Sequence, residues 1–403
     1  MNTHQLICPH CFTRGLLVKN GHKRGIQNYI CRSIGCNQQT TVPIEGDADT
    51  IIENVKLAKK VQKNQDTNRI ERKSFREHAR QENAYTEYTK ELVYVFSENQ
   101  LHASRLSECD GKAAGIIQLS DLHFNELVDL PQNKYSFEVA AKRLYRLATE
   151  AKKMFVANSV DNVLIAFTGD LMNSDRRLDE LLSNATNRSK ATFLAVDLLS
   201  QFIMDMGSLF NISCASVTGN EGRVDREPGW SDILATHNYD WTIFNMLAMR
   251  FRDNSVKFIH GDPLEQVVNV GGSNILMLHG HGIKAKQNLN DIVTKLVGKY
   301  ASREIRIDYI IFGHIHEASI GDIYARSASL VGANAYSDFG LNVISRASQN
   351  IFTIDELKNI SGFKIDLQNT TDDGYEIDEL LASYNIKSED KLHEHAVIHT
   401  IVI

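Results

Sequence analysis

Residues 115–123 read GIIQLSDLH. A short apolar run ends at Leu119, and Ser120-Asp121-Leu122-His123 closes it with two groups able to bind a metal. The same event recurs as VLIAFTGD at 163–170, ISCASVTGN at 212–220, NILMLHGHG at 274–282 and YIIFGHIH at 309–316. Continuous apolar runs of this length read as strands buried on both faces. Helical patterns at 136–156 and 190–206 lie between them, so the expected class is α/β. Ligands of such sheets collect at the carboxyl ends of strands, where all five loops would sit.

These loops carry Asp121, His123, Asp170, Asn220, His279, His281, His314 and His316. In extended chain a D-x-H or H-x-H pair points to one side, because the side-chain period is two. The donors are Asp, Asn and His without sulfur, which suits Mn²⁺ first, with Fe²⁺ or Zn²⁺ as alternatives. Two metals about 3.5–4 Å apart need a shared ligand. Asp170, central and alone after Gly169, is the expected bridge. His260 in FIHGD also ends an apolar run, but it falls too soon before His279 and stays outside the set. A lone Gly-Asn is a turn and a lone H-x-H is incidental; five such endings in order are a site.

The ordered series D-x-H, G-D, G-N, H-G-H and G-H-x-H resembles the calcineurin-like metallophosphoesterases over roughly residues 113–350. The resemblance implies an α+β four-layer sandwich, two facing mixed sheets flanked by helices. It implies a first metal on Asp121, His123 and His316, a second on Asn220, His279 and His314, and Asp170 between them. It also implies hydrolysis of a phosphoester. One position departs. The family follows Gly-Asn with a catalytic His, whereas Glu221, Gly222 and Arg223 stand here. Glu221 could donate a proton if burial raised its pKa. Arg223 could neutralise the phosphate, and His281 or His237 could replace the imidazole. Glu221 could instead orient a ligand or pair with Arg223.

Four of the six cysteines, Cys8, Cys11, Cys31 and Cys36, fall in the first 36 residues with spacing C-x2-C-x19-C-x4-C. Two close pairs suit one structural Zn²⁺ held by thiolates. The stretch CPHCFTRGLLVKNGHKRGIQNYICRSIGC resembles the zinc ribbons of insertion-element transposases, which bind DNA; its second pair is wider than their usual x2. Lys19, Lys23, Arg24 and Arg32 are the expected phosphate contacts.

Net charge is -6, unevenly spread: +5 over residues 1–44, +6 over 56–80 and hence -17 elsewhere. A basic front on an acidic body points to a polyanion partner, here DNA. The expected organisation is a zinc ribbon (1–44), a helical linker or arm (45–110), a phosphoesterase core (111–350) and a C-terminal extension (351–403). Two helices are expected over 47–98, broken near Asp66-Thr67-Asn68, and they are candidates for pairing in a homodimer. No apolar run reaches the ~18 residues of a membrane span, and no signal-peptide pattern opens the chain, so a cytoplasmic location is expected, in the host if the chain is phage-encoded.

The combination is similar to phage-encoded phosphoesterases with an Mre11/SbcD-like nuclease core. It implies a two-metal DNA nuclease, exonuclease-like, delivered by its ribbon. The alternatives are a small-molecule or nucleotide phosphodiesterase whose ribbon binds protein, and a weakly active nucleic-acid-binding protein. Arg176, Arg177, Arg188, Lys190, Arg223, Arg226, Lys284 and Lys286 are candidates for a basic rim.

Overall fold

The computed structural model describes residues 6–23, 25–41, 56–57, 59–70, 72–73, 113–225, 231–283, 288–334 and 346–382. The chain forms two compact units, Met1–Glu87 and Tyr88–Ile403.

In the first unit β1 (Leu17–Lys23), β2 (Ile26–Cys31) and β3 (Gln39–Thr40) make an antiparallel sheet in that order. Its buried core is Leu6, Cys8, Leu17, Tyr29 and Cys31. So few apolar side chains cannot offset the chain entropy lost on folding without a further cross-link. Beyond it, residues 59–70 are helical without a break. The expected interruption at Asp66-Thr67-Asn68 is absent, and Thr67 Oγ1 donates back to the Lys63 carbonyl at 2.9 Å within the helix. Asp, Thr and Asn lose well under ~1 kcal/mol each against Ala in a helix, too little to stop one. Most of the expected 45–110 arm lies outside the described residues.

The second unit is built on two sheets. The larger contains β4 (Ala113–Leu119), β7 (Val160–Phe167), β8 (Asn211–Ser216), β9 (Lys257–Ile259), β15 (Ser348–Ile354) and β16 (Ile360–Asp366), in the order β16-β15-β4-β7-β8-β9. Strands β4, β7, β8 and β9 run parallel, β15 pairs antiparallel with β4, and β16 pairs antiparallel with β15. The smaller contains β10 (Glu265–Val270), β11 (Ser273–Leu278), β12 (Tyr309–Phe312), β13 (Ser319–Ile320) and β14 (Tyr324–Arg326), in the order β10-β11-β12-β14-β13. Within it β11, β12 and β14 are parallel. A short hairpin, β5 (Val128–Leu130) and β6 (Asn133–Tyr135), precedes the first long helix.

Period-two alternation decides the layers. Val163, Ile165 and Phe167 face a core shared with α1 (Phe137–Ala157), α3 (Arg188–Gly207) and α5 (Tyr239–Arg250); α2 (Leu178–Ser183) and α4 (Asp232–Thr236) are short. Leu164 and Ala166 face the other sheet, against Ile275, Met277 and Ile311. The far side of that sheet, Leu276, Ile310 and Phe312, packs on Val293 and Tyr300 of α6 (Leu289–Ala301). The result is helix, sheet, sheet, helix: the expected four-layer sandwich of two mixed sheets.

The expected boundary at 350 cuts through β15, and the sheet runs on to Asp366. Strand β15 is buried along its whole length and pairs with β4, Phe352 opposite Ile116. Its polar residues hid it: Gln349 Nε2 donates to the Ser120 and Ala328 carbonyls, and Asn350 Nδ2 to the Arg326 carbonyl at 3.1 Å. No helix among the described residues is long and apolar enough to cross a membrane.

Candidate metal centre

The carboxyl ends of β4, β7 and β8, neighbours in one sheet, meet those of β11 and β12, neighbours in the other. Two groups of donors result. Asp121, His123 and His316 form one, Asp170, His279 and His314 the other; within each, the donor atoms lie within 4.8 Å of one another. His123 Nε2 and His316 Nε2 are 3.0 Å apart, and His316 Nε2 is 3.4 Å from Asp121 Oδ1. His279 Nε2 is 3.0 Å from Asp170 Oδ2 and 3.1 Å from Asn220 Oδ1. Asn220 therefore joins the second group. His281 stacks obliquely beside it, its ring centroid 6.0 Å from that of His279.

The local backbone differs from the extended chain that the D-x-H and H-x-H spacings suggest. Asp121, His123, Asp170, His314 and His316 all have positive φ, between 43° and 73°. Non-glycine residues rarely adopt this region, and such strain gathers where the surrounding structure holds a functional geometry. Left-handed turns, rather than strand alternation, aim these side chains inward.

The glycines before the ligands answer to crowding. A Cβ on Gly219 would lie 2.1 Å from Asp170 Oδ1, and one on Gly313 would lie 1.9 Å from Ser120 Oγ and 2.1 Å from Asp121 Oδ2. The strand ends are so close that only hydrogen fits there.

Side chains with no sequence signature lock the loops together. Asp240, buried in α5, accepts the backbone N–H of Asp170 at 2.8 Å, Leu171 at 2.9 Å and Gly219 at 2.8 Å. Asn238 Nδ2 donates to the Gly219 carbonyl at 2.9 Å. Gln118 Nε2 reaches from the larger sheet to the Phe312 carbonyl of the smaller at 2.8 Å. Each satisfies a backbone group that burial would otherwise leave unpaired. A single polar residue in a helical or apolar run carries no clue to such a partner, which is why sequence reasoning passed over these three.

Charge in the site is arranged for a cation. Burial works to raise the Asp121 carboxyl, but the hydrogen bond and charge of His316 outweigh it and hold it below the usual range. Burial likewise opposes ionisation of Asp170, and the charge and hydrogen bond of His279 overcome it. Burial disfavours the His279 imidazolium, yet Asp170 carries it up to about 10; Asp121 raises His316 in the same way. Burial drives His123 and His314 down to about 4. In each cluster the carboxylate thus favours the charged form of one imidazole, and burial favours the neutral form of the other. The buried carboxylates demand a positive charge that a divalent cation satisfies, and the oxygen and nitrogen donors suit one.

Glu221 lies beside this centre. Its Oε1 accepts from Asn220 Nδ2 at 2.8 Å, and its own N–H donates to Asp170 Oδ1 at 2.6 Å. Burial, then the Asp170 charge, pushes its carboxyl up to about 7. The pairing expected with Arg223 is not what forms: the guanidinium near Glu221 is Arg176, at 3.8 Å. Arg223 Nε donates to the Asn220 carbonyl at 3.1 Å, and Arg176 donates to the same oxygen at 2.7 Å. Arg188 donates to the carbonyls of Glu221 and Arg223 and is 3% exposed, so it is no part of a basic rim. Arg177 pairs with Glu180, and His237 Nδ1 lies 2.8 Å from Asp225. Burial brings His281 down to about 4, leaving a neutral imidazole beside the centre at neutral pH. Arg226, Lys284 and Lys286 lie outside the described residues.

In the first unit Cys8, Cys11, Cys31 and Cys36 bring their sulfurs within 4.8 Å of one another. Backbone turns place them: Phe12 N–H donates to the Cys8 carbonyl at 2.8 Å, and Ser33 N–H to Cys31 Sγ at 3.4 Å. The wider second pair closes as well as the first. Hydrogen bonds from Thr13 hold the Cys11 thiol down to about 6, whereas burial pushes Cys31 up to about 12. Lys19 and Arg32 are exposed on this unit; the Lys23 side chain and Arg24 lie outside the described residues.

No curated protein sequence matches this chain. Among solved structures, it is similar to Vps29 from Entamoeba histolytica complexed with zinc, at 15% identity over 63% of this chain and 99% of that one, with a TM-score of 0.27. It is similar to a 5'-nucleotidase from Candida albicans at 10% identity over 66% of this chain, spanning about half (53%) of that one, with a TM-score of 0.29. It is also similar to the calcineurin-like phosphoesterase YfkN from Bacillus subtilis, at 10% identity over 68% and 95% of the two chains, with a TM-score of 0.29. Likeness at these scores carries no argument. The family match does: the profile of the calcineurin-like phosphoesterases covers residues 115–318, just over half of the 403. That span starts in β4, ends after His316 and contains every donor of both Asp/His clusters, so the chain belongs to the calcineurin-like phosphoesterase family.

Proposed function

We propose that this protein is a two-metal phosphodiesterase that cleaves DNA, with a phage-type, Mre11/SbcD-like core and the four-cysteine unit as a DNA-binding zinc ribbon. The observation that carries the catalytic part is the pair of Asp/His clusters at one mouth of two sheets. Asp121, His123 and His316 would hold the first cation, Asn220, His279 and His314 the second, with Asp170 as the shared ligand. Two divalent cations held there, Mn²⁺ by first preference, would supply Lewis acidity for activating water and for neutralising charge on the phosphoryl oxygens.

The chain's own residues do the positioning. Thr168 fixes the His279 ring through its carbonyl, 2.9 Å from Nδ1, which turns Nε2 toward the centre. Glu221 takes one amide hydrogen of Asn220 and so turns Asn220 Oδ1 the same way. That orienting task is the role we assign to Glu221. We assign to His281, whose ring centroid is 6.0 Å from that of His279, the donation to a phosphoester oxygen, in place of the imidazole that relatives keep after Gly-Asn. For DNA the support is the +5 charge of residues 1–44 around a thiolate cluster. A cytoplasmic location suits thiols kept reduced for a metal.

The test is a substrate panel with Mn²⁺, run on the intact chain and on a Cys8→Ser/Cys11→Ser variant. DNA should be cleaved, with affinity falling steeply as salt rises, and the variant should lose DNA affinity while still hydrolysing bis(p-nitrophenyl) phosphate. Hydrolysis of that diester without cleavage of any DNA or RNA would replace the reading with a small-molecule phosphodiesterase. Metal binding without hydrolysis of either would leave a binding protein.

A further inference from the structure

One buried cation takes no part in the centre described above. Arg143, in the second turn of α1, is 2% exposed. Its Nη1 donates to the Leu330 and Val331 carbonyls at 2.7 and 2.8 Å, and its Nη2 to Asn133 Oδ1 at 2.9 Å and the Lys134 carbonyl at 3.4 Å. These acceptors are all amide oxygens, none of them a carboxylate. Burying a guanidinium is costly unless its hydrogens are matched. Here the match ties two segments together, because one edge of the planar fork grips residues 330–331 and the other grips β6.

Both segments close on the turn that carries Asp121 and His123. The Leu330 N–H and Ser329 Oγ donate to the Asp121 carbonyl at 3.0 and 2.9 Å. The Tyr135 hydroxyl, at the end of β6, donates to the Leu122 carbonyl, and the Arg143 guanidinium lies 5.6 Å from the centre of the Tyr135 ring. Farther along the first segment, Asn334 Nδ2 donates to Glu126 Oε1 at 2.8 Å, and the Glu126 N–H donates to the His123 carbonyl at 3.1 Å. The carbonyls of Asp121, Leu122 and His123 are thus all engaged. Asp121 and His123 have φ of 51° and 43°. Backbone of that kind persists only where its surroundings over-determine it.

We infer that Arg143 is a positioning residue for the first cation: through residues 329–331 and Tyr135 it holds the left-handed turn that aims Asp121 and His123. The inference rests on the two-metal reading above. It gives the first donor group what Asp240 gives the loops of Asp170 and Gly219, a buried side chain of a helix that fixes backbone without touching a donor atom. Arg143→Lys keeps the charge and loses the fork, since an ammonium is a point donor on a flexible stem. Loss of a partner that orients metal ligands typically lowers metal affinity by about 10- to 100-fold.

The experiment titrates the full chain with Mn²⁺ and reads the free ion by electron paramagnetic resonance. The wild type should bind two ions in the second unit. Arg143→Lys should weaken one of them by about 10- to 100-fold and leave the other unchanged. The weakened ion should be the one that His316→Ala loses, so Arg143→Lys/His316→Ala should bind its remaining ion as tightly as His316→Ala does. Leu147→Ala, a core change in the same helix, should lower Tm and move neither affinity. Equal weakening of both ions in Arg143→Lys, or of neither, overturns the inference, and so does a matching loss in Leu147→Ala. If Arg143→Lys does not fold, Ser329→Ala decides, because it removes one donor to the Asp121 carbonyl and leaves the Arg143 contacts in place. It should weaken the same ion alone; unchanged affinity overturns the inference. A wild type that binds fewer than two ions there sinks the two-metal reading itself, and the positioning role with it.

Discussion

Two regions of this chain gather donors fit for metals, and they do so in opposite ways. In the first unit four sulfurs sit inside a core of five buried side chains, two of them the cysteines Cys8 and Cys31. There the metal would hold the fold. In the second unit the donors stand at the rim of a sandwich with three separate apolar clusters. There the fold holds the donors, strongly enough to keep five of them in left-handed backbone. Removing the ion should therefore unfold one region and only silence the other.

The largest expected effect tests that contrast directly. Zinc in small thiolate sites contributes apparent binding energies of ~10–16 kcal/mol, all of it folding energy. Chelation, or Cys31→Ser, should abolish amide protection in β1 to β3 and leave the thermal unfolding of the second unit in place. A persisting β1–β2 ladder in the chelated protein would erase the distinction. Next in size is Asp170→Asn. It should reduce Mn²⁺-dependent diester hydrolysis on the order of a thousandfold, the scale of losing one preorganised charge, while circular dichroism stays native.

Asp240→Asn sharpens the second half of the comparison, because Asp240 touches no donor side chain and acts through the loops. Its replacement turns an amide group toward backbone N–H donors. Stability should fall by about 1–3 kcal/mol, and Mn²⁺ affinity by about 10- to 100-fold, as for other partners that orient ligands. A Tm shift with unaltered affinity would separate the clamp from the centre. The smallest effect belongs to Glu221. Glu221→Ala should weaken Mn²⁺ binding about tenfold through a misturned Asn220, and Glu221→Gln should stay near wild type because it still accepts that hydrogen bond. A faster Glu221→His enzyme would mean that the native site works without an imidazole there, and it would move Glu221 from orienting to hindering.

Much of the site is legible in short stretches of sequence. Asp121, His123, Asp170, Asn220, His279, His314 and His316 each follow an apolar run, and those runs are strands whose carboxyl ends converge. A buried strand announces itself because apolar continuity is a local property. The hidden parts were non-local. Gln349 and Asn350 look like loop residues until their partners at the ends of β4 and β14 appear. Arg188 looks like a surface cation until the carbonyls of Glu221 and Arg223 claim it. The Asp66-Thr67-Asn68 break failed for the reverse reason, since three weak helix formers inside a helix are a small penalty.

The sequence by itself determined the class of fold, the order of the strands that carry donors and the chemistry of those donors. Each is written in neighbouring residues: apolar runs, the glycine before a ligand, the spacing of two cysteines. Only the tertiary structure decided how the donors are aimed, which arginine meets Glu221, that Asp240 holds two loops at once, and that Arg143 joins β6 to residues 330–331. Those facts depend on side chains up to two hundred residues apart meeting where two sheets end, and no local pattern of hydrophobicity or spacing encodes such a meeting.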